Sequence, residues 1–370
     1  VSDSVSTVRP SVQVQRCESL TPALAESVRG YLATAPADSG VCGEHDPGWL
    51  DALRDGLGHQ PRVFIAREGS DSGAIVGYLP TAYVSSLLFG RYLVSLPYLN
   101  RAGVVARDGQ VAAALIDAAV EQARRDDAAY LELRHGAPIT HASLGGQRDD
   151  KVRMTLPLPA DAEALWKEIH SKVRNQIRKG DKSELTVRFG GLDLLEPFYD
   201  VFAVNMRDLG TPVYGRGLFA AILRHLPQRA ELVVVNCKDQ PVAGALLIHD
   251  PPTGGADKGL TSVPSASSLR EFNATNCNMW MYHHLLLRAI ERGSGTFDFG
   301  RSSVDSGTYK FKKQWGAMPQ PTVWQYHVRR GEVSAVRPDN PKYRRRIETW
   351  QKLPIWLTRL VGPSIVRGIP

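Results

Sequence analysis

Short apolar runs of strand length alternate with amphipathic stretches of helix length along the chain, which predicts an α/β fold with mixed sheets. In the first half the pattern gives a strand at Val12–Arg16 and a helix over Pro22–Ala33. Asp46–Pro47 marks another helix start in DPGWLDALRDGL, because a carboxylate can cap free amides and proline suits the first turn. β-rich runs follow at Val63–Arg67, Ala74–Leu88 and Tyr92–Leu96, then a helix over Gln110–Ala123 and a strand over Ala129–Arg134. His135–Asp150 is rich in Gly, His and Ser without periodicity, and reads as a connecting loop.

The second half repeats the order. A strand at Val152–Leu158 leads into helical segments from Asp161 to Gly180, a strand at Leu185–Phe189, and helices near Leu194–Leu209 and Arg216–Leu226. Glu231–Cys237 and Val242–Asp250 read as a hairpin turning at Lys238–Pro241. Ser262–Ser268 reads as a loop, Asn276–Arg292 as a helix and Thr296–Gly300 as a strand. VFIAREG…AIVGYLP can be laid over LVVVNCK…PVAGALL, and YLELR over FDFGR, so the chain reads as two copies of one unit. The expected division is a disordered lead at 1–10, a first domain at 11–150, a second, catalytic domain at 151–335 and a tail at 336–370.

Length and charge sharpen this division. A chain of 370 residues can bury two cores, and 43% hydrophobic with 22% charged residues excludes wholesale disorder. No apolar run reaches about 18 residues, and the polar start lacks the form of a secretory signal, so a soluble cytoplasmic protein is expected. Four scattered cysteines suggest neither a metal site nor a disulfide framework. From Arg337 onward eight basic residues face two acidic ones, so most of the net charge of +7 belongs to the tail and no DNA partner is implied. Trp350, Trp356, Leu357 and Leu360 are interleaved with those charges, a mixture that suits either an anionic membrane surface or docking on the second domain.

The densest chemistry is FDFGRSSVDSGTYKFKKQWG, Phe297 to Gly316. Lys310, Lys312 and Lys313 cannot share one helix face, so at least one should meet a groove, where it could neutralise phosphate or an oxyanion. The plainer reading is a solvated basic helix over Phe311 and Trp315. Candidate proton acceptors are Asp298, Asp305, His249 and Glu271, with Asp298 facing opposite Phe297 and Phe299. His283 and His284, mid-helix beside Trp280, suit packing better. In KVRNQIRKGDK, Lys172 and Asn175 share a helical face and Arg174 lies on a second stripe, a surface helix or a phosphate contact. Tyr98 and Asn100 in SLPYLNRAG could line a cleft between the domains. No serine-triad, dinucleotide or zinc-protease motif is present.

The run FDFGRS…GTYKFKKQWG resembles the C-terminal motif of FemAB-like proteins and of related acetyltransferase (GNAT) domains. SLPYLNRAG, KVRNQIRKG and NPKYRRRIETWQKLP extend the likeness over nearly the whole chain, closest to the FemAB-related proteins of exosortase (PEP-CTERM) exopolysaccharide loci. The resemblance implies tandem GNAT folds with a C-terminal helical tail, and a catalytic or oxyanion-stabilising lysine at Lys312. That role is carried to Lys312 only; on the leading reading Asp298 or Asp305 would assist deprotonation, and Arg301, Ser302, Tyr309, Lys310, Trp315, Lys172, Arg174, Asn175, Tyr98 and Asn100 would be substrate contacts. No tightly bound cofactor is implied. The donor would be aminoacyl-tRNA or acyl-CoA and the acceptor an amine of a cell-envelope or exopolysaccharide precursor, at the cytoplasmic side of the inner membrane. The charged heptad arm of Fem transferases is missing, and so is the Q/R-x-x-G-x-G/A loop of GNAT enzymes. An acyl-CoA-dependent N-acetyltransferase and a non-catalytic scaffold of a polysaccharide assembly are the alternatives. YLELRHG lacks the lysine segment, so the first domain is expected to hold no site.

Overall fold

The computed structural model describes residues 11–331 and 344–369. The expected disordered lead and the start of the expected tail lie outside the described residues. The first half runs β1 (Val12–Cys17), α1 (Pro22–Thr34), α2 (Gly48–Leu57), β2 (Gln60–Glu68), β3 (Ile75–Ser86), β4 (Gly90–Val94), β5 (Val105–Ala106), α3 (Gly109–Arg125), β6 (Tyr130–His135) and β7 (Gly146–Arg148). The second begins with β8 (Lys151–Pro157), α4 (Ala162–Glu168), α5 (Ser171–Asp181), β9 (Leu185–Gly190), α6 (Leu195–Asp208) and α7 (Arg216–His225). It continues with β10 (Ala230–Cys237), β11 (Gln240–Asp250), β12 (Gly259–Ser268), α8 (Cys277–Glu291), β13 (Ser294–Ser303), α9 (Gly307–Lys313), β14 (Met318–Pro321) and β15 (Val323–Val328). Helices α10 (Arg344–Trp350) and α11 (Ile355–Val366) close the chain.

Two mixed sheets result. The first has the order β1-β2-β3-β4-β6-β15-β7 with β5 on β3, and the second β14-β8-β13-β12-β11-β10-β9. Each contains one parallel pair, β4 with β6 and β12 with β13. Strand alternation serves a core on each face of a sheet. Val63 and Ile65 of β2 join the core shared by the two halves, while Phe64 and Ala66 pack under α3. In β10, Leu232 and Val234 face the shared core with α6 and α7, and Val233 and Val235 face α5 and α8. β15 returns to the first sheet, pairing with β6 and β7, so the second half of the chain lends that sheet one strand.

Local chemistry starts the helices where they are needed. Asp108 and Asp161 accept from Val111 N and Ala164 N at 3.0 and 2.8 Å, and Ser306 Oγ accepts from Tyr309 N at 3.2 Å. The expected loop at Ser262–Ser268 is instead strand β12, bonded to β11 along its length. Its small side chains hide the alternation that buries Val263, Ser265 and Ser267. The helical stretch from Asp161 breaks at Ile169–His170, and the loop at 135–150 contains β7. α11 lies on α6, with Arg359 paired to Asp200 at 2.7 Å and Thr358 buried.

Candidate active site

The parallel pairing of β12 with β13 ends at Ser262↔Asp298. Beyond it β12 stays with β11, whereas β13 stays with β8, pairing Arg301 with Arg153 after an irregularity at 299–300. The two strands therefore part, and a cavity of about 430 Å³ opens between them. Glu44, Trp49, Tyr98 and Asn100 line it from the first half, and Asp250, Ser265, Tyr282, Asp298, Arg301 and Lys312 from the second.

Lys312 reaches the parting point from α9. Its Nζ donates to the carbonyls of Gly300 at 3.0 Å and Arg301 at 2.9 Å, which leaves one N–H without a described partner. Burial lowers its pKa to about 8, opposed by the charge of Asp298. Gly300 aims its carbonyl by adopting φ +76°, a conformation that costs a side-chain-bearing residue roughly 1–2 kcal/mol. Asp298 is buried, accepts from Gly300 N at 2.8 Å and pairs with Arg153 at 3.0 Å. Burial raises its pKa, with Arg153 pulling it back.

Arg301 lies with its guanidinium carbon 3.9 Å from the centroid of Trp324, a ring that also carries Arg134 at 4.0 Å. It has no ion pair among the described residues, and burial lowers its pKa to about 10. Tyr98 Oη lies 3.1 Å from Ser265 Oγ, a hydrogen bond that ties the two halves across the cavity. Asn100 N donates at 2.7 Å to Glu44 Oε2, and Asn100 O accepts from Trp324 Nε1 at 3.2 Å.

Of the residues expected from sequence, Lys312, Asp298, Arg301, Tyr98 and Asn100 thus meet at one cavity. The others do not. Asp305 is an exposed turn residue at φ +62°, and Lys310 is exposed on the outer face of α9. Ser302 and Trp315 are buried behind the strand, and Tyr309 is packed against the same core. Arg174 Nη1 donates to the carbonyls of Trp166, Lys167 and Ile169, closing the end of α4. Lys172 and Asn175 border a separate surface hollow that shares no lining residue with the cavity. His249 is held by Thr261 and Glu231 away from the cavity, and Glu271 is exposed. Glu44 and Asp250 also line the cavity and carry no signal in the sequence. Glu44 sits in an aperiodic turn, and Asp250, paired with Arg229, ends a strand.

The mixed sheets that part at a parallel strand pair have the GNAT fold, and a match to an acetyltransferase domain supports an acyltransferase. Residues 167–313 match the family model of the acetyltransferase (GNAT) domain, a span from α4 to the end of α9. No curated protein matches the chain. Among solved structures, FemX is similar with a TM-score of 0.60 at 15% identity, covering 85% of this chain and 97% of its own. A tandem GNAT protein from the clavulanic acid biosynthesis pathway gives 0.53 at 12% identity, over 87% and 100% of the two chains. Saccharomyces cerevisiae N-myristoyltransferase with bound myristoyl-CoA gives 0.51 at 10%, over 88% and 86%. At these identities the likeness is one of fold.

Proposed function

We propose that the chain transfers an activated acyl or aminoacyl group to an amine of a cell-envelope or exopolysaccharide precursor, in the cavity between β12 and β13. The second domain, 151–335, would be the catalytic unit and 11–150 its partner. One observation carries the reading: the Lys312 ammonium is fixed by two carbonyls where the strands part, with an N–H left for a ligand. When an amine attacks an acyl carbon, a C–N bond forms and negative charge develops on the carbonyl oxygen. A cation already in position stabilises that charge without reorganisation. The C–S or C–O bond to the leaving group then breaks, the leaving group takes a proton, and the nitrogen, positively charged once the C–N bond has formed, loses one. Glu44 Oε1, free of described partners, and Asp298 are the carboxylates at hand for that proton. Arg301 on Trp324 suits a phosphate of the donor.

The acetyltransferase family match supports acyl-CoA as donor, and the FemAB motifs support aminoacyl-tRNA. The resemblance to exosortase-linked proteins supports an exopolysaccharide amine as acceptor. Trp356 and Leu360 stand 67% and 69% exposed on α11, which supports peripheral contact with an anionic inner membrane. Incubating the protein with acetyl-CoA, long-chain acyl-CoA or charged tRNA and an amine acceptor, with products read by mass spectrometry, tests the reading. Amide formation from one donor class is expected. Absence of product from all of them would sink it.

A further inference from the structure

The turn between β3 and β4 carries two leucines where water-facing turns ordinarily carry glycine or polar residues. The strands stay paired up to Ser86↔Gly90, so Leu87, Leu88 and Phe89 form the turn. Ser86 Oγ accepts from Leu88 N at 3.2 Å and from Phe89 N at 3.4 Å, which holds the turn in one shape. Phe89 folds back onto the small core around Val84 and Tyr92, whereas Leu87 and Leu88 are 108% and 73% exposed. The packing of the first sheet therefore makes no use of either leucine.

This turn adjoins α11. At Gly368, just past the end of that helix, a Cβ would lie 2.5 Å from Ser86 Oγ and 3.2 Å from Phe89 Cδ2. With a rise of about 1.5 Å per residue, Leu360 lies about 12 Å from that contact. α11 keeps Thr358, Gly362 and Val366 inward, and Trp356 and Leu360 outward. Neighbouring projections on a convex surface can meet one plane, and here all four are apolar.

The charge around them has one sign. No Asp or Glu occurs after Glu348, nor anywhere from Thr81 to Arg107. Lys352 before α11 and Arg367 at its end are exposed and have no ion pair among the described residues. A second copy meeting this patch across a two-fold axis would set like charges against each other. An anionic bilayer meets both needs, because its headgroups take the cations while its interface takes leucine and tryptophan.

We infer that the Leu87–Leu88 turn is a second membrane anchor, entering the surface of an anionic bilayer beside α11 and so fixing how the protein lies on it. This rests on the membrane contact proposed above for α11 and requires nothing of the acyl-transfer reading.

Co-sedimentation of the full chain with vesicles of phosphatidylglycerol and phosphatidylcholine, beside pure phosphatidylcholine, tests it. Leu87→Ser with Leu88→Ser should weaken partitioning to the anionic vesicles by about tenfold while urea unfolding is unchanged. A second readout places the turn directly. Leu88→Trp in a Trp356→Phe background should be quenched by phosphatidylglycerol vesicles with brominated chains beyond the level of Trp356→Phe alone. If the serine variant binds as the unaltered protein does while Trp356→Ala with Leu360→Ala binds less, the α11 contact stands and the second anchor is overturned. Absence of binding by the unaltered protein overturns both. Equal binding to pure phosphatidylcholine, or a dimer in sedimentation velocity that the serine variant abolishes, also overturns the assignment.

Discussion

A lysine ammonium withdrawn from water loses hydration that only fixed dipoles or charges can replace. At Lys312 two backbone carbonyls do so, and they are aimed there by the left-handed turn of Gly300. The pKa lowered to about 8 gives a pH prediction with a definite sign. If the ammonium is the working form, transfer is fully supported below about pH 8 and declines as pH rises through it. Lys312→Arg keeps its charge in that range, so its decline should move to higher pH while some activity survives. A pH–rate profile of both proteins checks this, and identical alkaline limbs would count against a titrating Lys312. Gly300→Ala should cost about 1–2 kcal/mol in urea unfolding and disturb transfer further by turning the carbonyl away. The lysine run itself was legible as chemistry, and the residues of FDFGRS with it. Glu44 and Asp250 were not, because a carboxylate in a turn or at a strand end has no pattern until the fold brings it to the cavity.

Among the elements, the segment between β4 and β5 bears the most strain. Leu96 and Tyr98 both hold positive φ, at +53° and +76°, which non-glycine residues keep only when neighbours over-determine them. Arg134 of β6 is that neighbour, since its buried guanidinium donates to the carbonyls of Leu96 and Leu99 and pairs with Glu132 at 2.7 Å. Arg134→Met should therefore destabilise the protein by about 3–5 kcal/mol, measured by urea unfolding. Adding Glu132→Gln should recover part of the loss by removing the stranded carboxylate; a loss below about 1 kcal/mol in the single variant would contradict this account. Most elements could be read from the sequence because each helix buries one regular face and the central strands are apolar runs buried on both. Strand β12 could not, because the serines that border the cavity carry no hydrophobic signal. The charge stripe of α5 is ambiguous for a different reason. Arg174 is used to close the preceding helix, and a sequence cannot distinguish that from a phosphate contact.

At the scale of the whole molecule, the repeat visible in the sequence corresponds to two sheets that each part at one parallel pair. What the repeat conceals is their joining, through a common core of α1, α2, α6 and α7 residues and the return of β15. Trp324 on that strand carries Arg301 of the other sheet, so the cavity depends on both halves. The tail holds to α6 by one face of α11 and leaves Trp356 and Leu360 outward. Trp356→Ala with Leu360→Ala should leave the fold intact and reduce co-sedimentation with anionic vesicles several-fold; unchanged sedimentation would remove the membrane contact from the account. The central claim is that acyl transfer occurs at the β12–β13 opening with Lys312 stabilising the developing charge. It is tested most directly by kcat for amide formation in Lys312→Met beside the unaltered protein, with unfolding curves recorded on both. A fall of about 10²–10³-fold with the fold retained is expected, and a kcat close to that of the unaltered protein would contradict the claim.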